Sequence, residues 1–312
     1  MNNISQRDAF WNRLYDIARQ DRRVVAIAAD MGAPALDQFR RDLPGQFVNA
    51  GIAEQNGLLV AAGLAMEGKH PFLYAIAPFA TFRILELIRV ENSIMDIPVT
   101  IVGVGAGFGY EDSGPTHHIL EDIATLRAFP HLTIHSISDA SLAAAVAEHS
   151  CGLKHANYVR LDRAVLPELY AKAPDLSKGF SILREGKAGW LLATGFMSHR
   201  ALNVAKKLAE QGLDLGVADV FAMPFDEAAL LAALGKTPHV FTLEEHFLPG
   251  GFGSLVLETL NTHGVAKVVH RLGLSFEKGY SYTYGGRDRI LAEYGLSEAD
   301  IEKQIRATLN KA

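Results

Sequence analysis

The hydrophobic pattern changes its period repeatedly along the chain. Short β-branched or apolar runs occur at Val24–Ala28, His70–Tyr74, Val99–Val102, Leu132–His135 and Asn157–Leu161, each of strand length. Between them lie longer segments whose apolar residues recur at helical spacing, at Gln6–Arg19, Glu54–Met66, Phe79–Met95, Ile119–Phe129 and Ala140–His149. Strands separated by helix-length segments predict a mainly parallel sheet flanked by helices, because parallel neighbours need a crossover and a helix supplies it. Asp139, just before Ala140, is placed to cap a helix, and Pro98 opens a strand where its missing N–H costs little.

From Ala164 to Gly179 the periodicity fails and Pro167 and Pro174 appear among charges, as in a connector crossing a surface. Alternation then resumes, with strands predicted near Gly189–Thr194, Leu215–Val220, His239–Leu243 and Lys267–His270. Helices are predicted at Ser198–Gln211, Asp226–Leu234 and Gly253–Thr262, and an amphipathic helix at Ser297–Leu309. The expected architecture is two doubly wound α/β domains, residues 1–165 and 181–312, joined by a linker at 166–180.

Composition narrows the class. A chain of 312 residues exceeds the usual size of one core, and 49% hydrophobic against 21% charged residues excludes disorder. A net charge of −5 without any dense Lys/Arg run argues against nucleic acid or an anionic membrane as the main partner. Cys151 is the single cysteine, so there is no internal disulfide framework, and a packed small side chain is its plain reading. The most apolar windows are interrupted by Glu54 and Asp96 before they reach membrane-spanning length, and Met1–Arg13 has no signal-peptide layout. A cytoplasmic location is expected.

Three segments carry candidate chemistry. In Phe47-Val48-Asn49-Ala50-Gly51-Ile52-Ala53-Glu54-Gln55-Asn56-Gly57 a glutamate sits at the mouth of an otherwise apolar helix, where alone it would complement the helix dipole. The stripe from Pro78 to Ile88 has the spacing of a core-facing helix. In the third, Gly103, Gly105, Gly107 and Gly109 lead into Ser113-Gly114-Pro115-Thr116-His117 instead of opening a helix, which excludes a dinucleotide fingerprint. His117 and His118 are neighbours on an extended segment, point oppositely and would chelate poorly. Glu244, Glu245 and His246 lack the spacing of a helical zinc motif.

Together these segments resemble the transketolase family, which includes the deoxyxylulose-phosphate synthases. The resemblance implies a thiamine-diphosphate enzyme in which Glu54 faces the aminopyrimidine, shares a proton with its ring nitrogen and so promotes removal of the thiazolium C2 proton. By the same resemblance Phe82 stacks on the pyrimidine, Leu85 and Ile88 continue that wall as aliphatic residues, and Asp30 lies near the cofactor and the subunit seam. His117 would face the substrate hydroxyls. Ser113 stands where the family commonly has an aspartate, with Asp112 displaced by one, and Gly105 stands where classical members have a phosphate-binding histidine. An arginine for the substrate's anionic end is matched by Arg160 or Arg163. Leu191–Gly195 and Thr242–Gly253 are similar to the family's C-terminal domain, which mainly builds the dimer.

No Gly-Asp-Gly occurs in the sequence. In the family that motif helps to hold Mg2+ and the diphosphate, so the resemblance implies a separate N-terminal subunit and a heterotetramer of two chains of each kind. The expected reaction moves a two-carbon ketol unit from a ketose donor to an aldose acceptor. Three alternatives are a 2-oxoacid dehydrogenase beta chain, which would need a lipoyl domain, a deoxyxylulose-phosphate-synthase-like enzyme, and a regulatory or scaffold chain.

Overall fold

The computed structural model describes residues 4–32 and 34–309. The strands among these residues are β1 (Val24–Ala28), β2 (Phe47–Asn49), β3 (His70–Ile76), β4 (Thr100–Val104), β5 (Leu132–Ser136), β6 (Ala156–Leu161), β7 (Phe180–Arg184), β8 (Gly189–Ala193), β9 (Leu215–Val220), β10 (Ala222–Met223), β11 (His239–Phe247) and β12 (Val268–Leu274). They form two sheets, ordered β10-β5-β6-β4-β3-β1-β2 and β12-β11-β8-β9-β7. Every pairing is parallel except β10 with β5 and β7 with β9. Helices on both faces bury β1, β4 and β6 completely, which is why these runs lack a polar face.

The two sheets share one hydrophobic core. Ile134 and Tyr158 of the first belong to the same buried cluster as Trp190, Leu192 and Val220 of the second. The chain also returns after crossing over, since β10 pairs with the edge of the first sheet through Ala222 and His135. Local patterning does not report a two-residue strand, so β10, like the short β2, has no counterpart among the predicted runs.

Helix Ala140–Ser150 starts as expected, with the Asp139 carboxylate accepting the Leu142 N–H at 2.7 Å. The predicted single helix at Phe79–Met95 is instead a 3-10 turn at Phe82–Ile84, a short α segment at Leu85–Leu87 and a π-helix at Ile88–Ile94. The Thr81 hydroxyl donates back to the Ala77 carbonyl at 2.8 Å, a local bond that competes with helix continuation. Phe79, Phe82 and Arg83 are thereby spread over a turn. Similarly, Ile119–Phe129 is helical only at Asp122–Leu126, because Asp122 is drawn into a buried charge cluster.

Two histidines sit buried at the junction of the sheets. His135 bonds through Nδ1 to Asn157 Oδ1 at 2.6 Å. His246 Nε2 accepts the Ala124 N–H at 3.3 Å, so its Nδ1 carries the proton and donates to the Phe247 carbonyl at 2.6 Å. Burial pushes each imidazole down to about 4, below the ~6.5 of an exposed histidine. As pH falls, the unfolded chain takes up these protons first. The stabilisation is therefore complete above about pH 6.5 and is lost progressively towards pH 4, on the order of 3 kcal/mol per site. Burial acts in the opposite sense on Asp219 and Glu244, pushing their carboxyls up to about 6 and about 8, so these two gain stability as pH falls. The histidine share is therefore read by difference: the unfolding free energy of His246→Gln should fall less between about pH 6.5 and about pH 4 than that of the unsubstituted chain, and an equal fall in the two refutes the assignment.

Candidate active site

Parallel strands present their carboxyl ends at one edge, so the loops that follow β1, β2, β3, β4 and β6 converge there. Those loops carry Asp30, Glu54, Phe79, the glycine segment up to His117, and Arg163 respectively. Each side chain reaches the edge because its strand ends there.

Glu54 is the first residue of helix Glu54–Met66 and is only 4% exposed. The helix lies close on β3, since a Cβ at Gly57 would come 2.9 Å from Leu73 Cδ1. Both carboxylate oxygens accept from Arg83 Nη1 at 3.0 Å. The Arg83 guanidinium carbon lies 4.1 Å from the centre of the Phe79 ring, and its carbonyl accepts from Gln55 Nε2 at 3.2 Å. Phe79 in turn meets His117 edge to face, with ring centres 5.5 Å apart. A continuous line of contacts, Glu54 to Arg83 to Phe79 to His117, thus joins the two residues singled out in the sequence. Phe79 and Arg83 were missed there. The signal was their place in the stripe beginning at Pro78, which helical spacing made look like core.

His117 is half-buried between Phe79 and Tyr110, and its Nδ1 bonds to Thr116 Oγ1 at 3.0 Å. His118 points the other way, packs edge-on against Phe108 at 5.0 Å and is pushed below the ordinary histidine range by burial. The glycines before them answer to close approach. Gly105 has φ +96°, and a Cβ there would lie 2.2 Å from the Tyr110 ring; at Gly107, with φ +59°, it would lie 1.9 Å from Glu245 Oε2.

Arg160 in β6 and Arg163 in the loop that follows it are separated by burial. Arg160 is 3% exposed, donates from Nε to Asp122 Oδ2 at 2.8 Å and caps the Ile119 and Glu245 carbonyls. It is a structural ion pair and leaves the substrate set, because every bond it makes is internal. Arg163 is half-exposed, pairs with Asp112 at 2.9 Å and stacks over Tyr110. With Glu111, Asp112 and Arg287 it lines a cavity of about 660 Å³. Ser113 donates to Asp112 at 3.3 Å beside this opening.

The proposed pyrimidine wall is corrected in one member. Ile88 is wholly buried in the shared core and has no surface to offer a cofactor. Leu85 is part-buried against that core, while Phe82 is 39% exposed. Asp30 is exposed at the end of β1, with φ +49°.

Behind the cavity, Arg287 is the hub of a buried charge cluster. It donates to Asp162 Oδ2 at 2.6 Å and to both carboxylate oxygens of Glu245, and it stacks on Phe196 at 3.8 Å. Its backbone N–H donates to Glu111 at 2.6 Å. Glu244 instead caps helix Phe252–Thr262, accepting the Phe252 and Gly253 N–H groups, with its Oε2 3.8 Å from His246 Nδ1, while Glu245 is bonded to Arg287, so the three do not converge on one metal centre. Among the described residues, the one cluster with metal-ligand spacing is Asp96, His131 and His155. It precedes β4, β5 and β6, at the opposite edge of the sheet.

Comparison with known proteins assigns the lineage. Residues 2–168 match the transketolase pyrimidine binding domain and residues 179–301 the transketolase C-terminal domain. The chain belongs to the transketolase family. Among its relatives is an apulose-4-phosphate transketolase subunit of Phocaeicola vulgatus, 34% identical over 97% of this chain and 96% of that one. Another is the 6-deoxy-6-sulfo-D-fructose transketolase subunit SqwH of Clostridium sp. (strain MSTE9), 34% identical over 95% and 91%. A solved split-gene transketolase, described as an inactive beta4 tetramer, superposes with a TM-score of 0.86 at 30% identity over 98% of both chains. The 1-deoxy-D-xylulose-5-phosphate synthase 2 of Geobacter sulfurreducens is 35% identical over 95% of this chain, which spans only 48% of that protein. The pyrimidine-binding domain of this transketolase chain is thus the sheet whose carboxyl edge carries Glu54 and His117.

Proposed function

We propose that this chain is the C-terminal subunit of a split transketolase, moving a two-carbon ketol unit from a ketose to an aldose in company with a diphosphate-binding subunit. The observation that carries the reading is Glu54, a nearly buried carboxylate at the carboxyl edge of the sheet whose two oxygens both meet a flat nitrogen cation lying over the Phe79 ring. The apulose-4-phosphate and sulfofructose relatives, each named as one subunit of a transketolase and matched nearly end to end by this chain, support the two-chain organisation.

The donor set fits thiamine diphosphate. Beside Phe79, Glu54 already accepts from a flat nitrogen cation, and an aminopyrimidine is likewise flat and nitrogen-rich. When bound, the cofactor supplies the carbanion chemistry that a ketol transfer requires. Glu54 would hold the proton shared with the pyrimidine nitrogen, and Phe79, Phe82 and Leu85 would supply its apolar contacts. His117 orients substrate hydroxyls and assists proton movement. Arg163 meets the anionic end of the sugar by exchanging its bond to Asp112, with Ser113 alongside. Both subunit relatives are named for sugars that carry a phosphate or sulfo group, and an arginine lining the cavity supports an anionic sugar here as well.

Mg2+ belongs to the partner in this reading. It takes oxygen ligands, whereas the cluster at Asp96 offers two histidines and lies at the wrong edge. A surface for the partner is available on helix Glu54–Met66 and the adjoining π-helix, where Leu59, Met66 and Ile94 are exposed, together with Met95 just beyond it. The assembly proposed is a heterotetramer with the cofactor at the seam. Titrating the purified chain with thiamine diphosphate and Mg2+ should give weak binding and no ketol transfer until the partner is added. Tight binding and turnover by this chain alone would overturn the two-chain reading.

A further inference from the structure

We infer that Arg83 is an internal occupant of the aminopyrimidine seat, which must swing out before cofactor can bind; this rests on the reading of Glu54 given above. Three observations converge on it. The guanidinium places one nitrogen against both oxygens of Glu54, so that each carboxylate oxygen already has a partner. It also lies over the Phe79 ring at 4.1 Å, within reach of a cation–π contact. And it is the partner with room to leave, since the Arg83 side chain is 43% exposed and that of Glu54 only 5%.

The chemical likeness is specific. An aminopyrimidine presents a flat N–C–N amidine, with a ring nitrogen to meet a carboxylate and an exocyclic amine beside it. A guanidinium presents the same planar N–C–N unit, permanently charged and able to stack on an aromatic face. Here one guanidinium nitrogen, Nη1, meets both carboxylate oxygens while the flat cation covers the Phe79 ring, and a lysine ammonium lacks the plane for that second contact. The chain therefore keeps its activating carboxylate satisfied by a side chain that resembles the ligand's reactive half. Retracting Arg83 costs little structurally, because its solvent-facing side leaves a path outwards and only its side-chain bonds need to break. No covalent step is involved.

This occupancy weakens binding in proportion to the time the pair is closed. If the seat is free about one-tenth of the time, the apparent affinity falls about tenfold. It also gives the partner subunit a regulatory handle, since any contact that draws the guanidinium away opens the seat. Arg83 is then a positioning residue acting through Glu54.

Thiamine itself is the probe, because it carries the aminopyrimidine without the diphosphate and so makes no demand on the partner's half of the site. Calorimetric titration of the isolated full chain is expected to show Arg83→Leu and Arg83→Gln binding thiamine roughly tenfold tighter than the unsubstituted chain. Arg83→Lys should fall between. Methylguanidine, at concentrations far below denaturing, should compete with thiamine in Arg83→Leu. Adding Glu54→Gln to the Arg83→Leu chain should abolish the gain. Equal or weaker thiamine binding in both Arg83 variants overturns the inference. A gain that survives Glu54→Gln shows instead that Glu54 is not the pyrimidine's partner, and takes down the underlying site reading as well.

Discussion

Replacing Glu54 with glutamine is expected to slow thiazolium C2 proton exchange in the assembled two-chain enzyme by roughly 10²–10⁴-fold, the usual contribution of a positioned acid–base group. The substitution keeps the volume and planarity of the side chain and one acceptor oxygen, so the helix entrance and the packing on β3 should survive it. What disappears is the ability to share a proton with the pyrimidine nitrogen. Because Glu54 is nearly buried, bulk water has no ready access to take over that role. Deuterium exchange at C2, followed with cofactor occupancy held constant, isolates this step from sugar binding. Exchange at the unsubstituted rate would remove Glu54 from its role.

Arg287→Ala is expected to destabilise the protein by about 3–5 kcal/mol, the cost of stripping a buried charge from its partners. Asp162 directly follows β6 of the first sheet and Glu245 belongs to β11, so this guanidinium ties the two sheets together. Its removal leaves two carboxylates buried and facing one another. Arg287→Lys should rescue little, because a point charge cannot span Asp162, both oxygens of Glu245 and the Phe196 face at once. The loss should reach the site too. The Arg287 backbone N–H holds Glu111, next to Asp112, and Arg287 Nη2 caps the Ala106 carbonyl at 3.3 Å, so the loop leading to His117 loosens with it. Denaturant melts with and without substitution measure the first effect. A loss within experimental error would show that the cluster is not what joins the sheets.

The alternation of strand and helix was legible because its causes are local. Val24–Ala28 coincides with β1, and Asp139 caps its helix, since burial of a short apolar run and an N-terminal carboxylate act over a few residues. Glu54 and His117 stood out as candidates for a related reason: each lies in a short, unusual run whose resemblance to a known family is carried by neighbours in sequence. Long-range partners leave no such trace. Whether Arg160 or Arg163 faces the cavity depends on Asp122, which lies across the fold and withdraws the first of them. Ile88 looks like a wall residue in the stripe but is turned into the core by a π-helix. β10 joins the first sheet only because the chain returns to it from the second. The Arg83 bond to Glu54 likewise joins two loops that meet only because parallel strands end at one edge, and periodicity along a chain carries no information about which loops will face each other there.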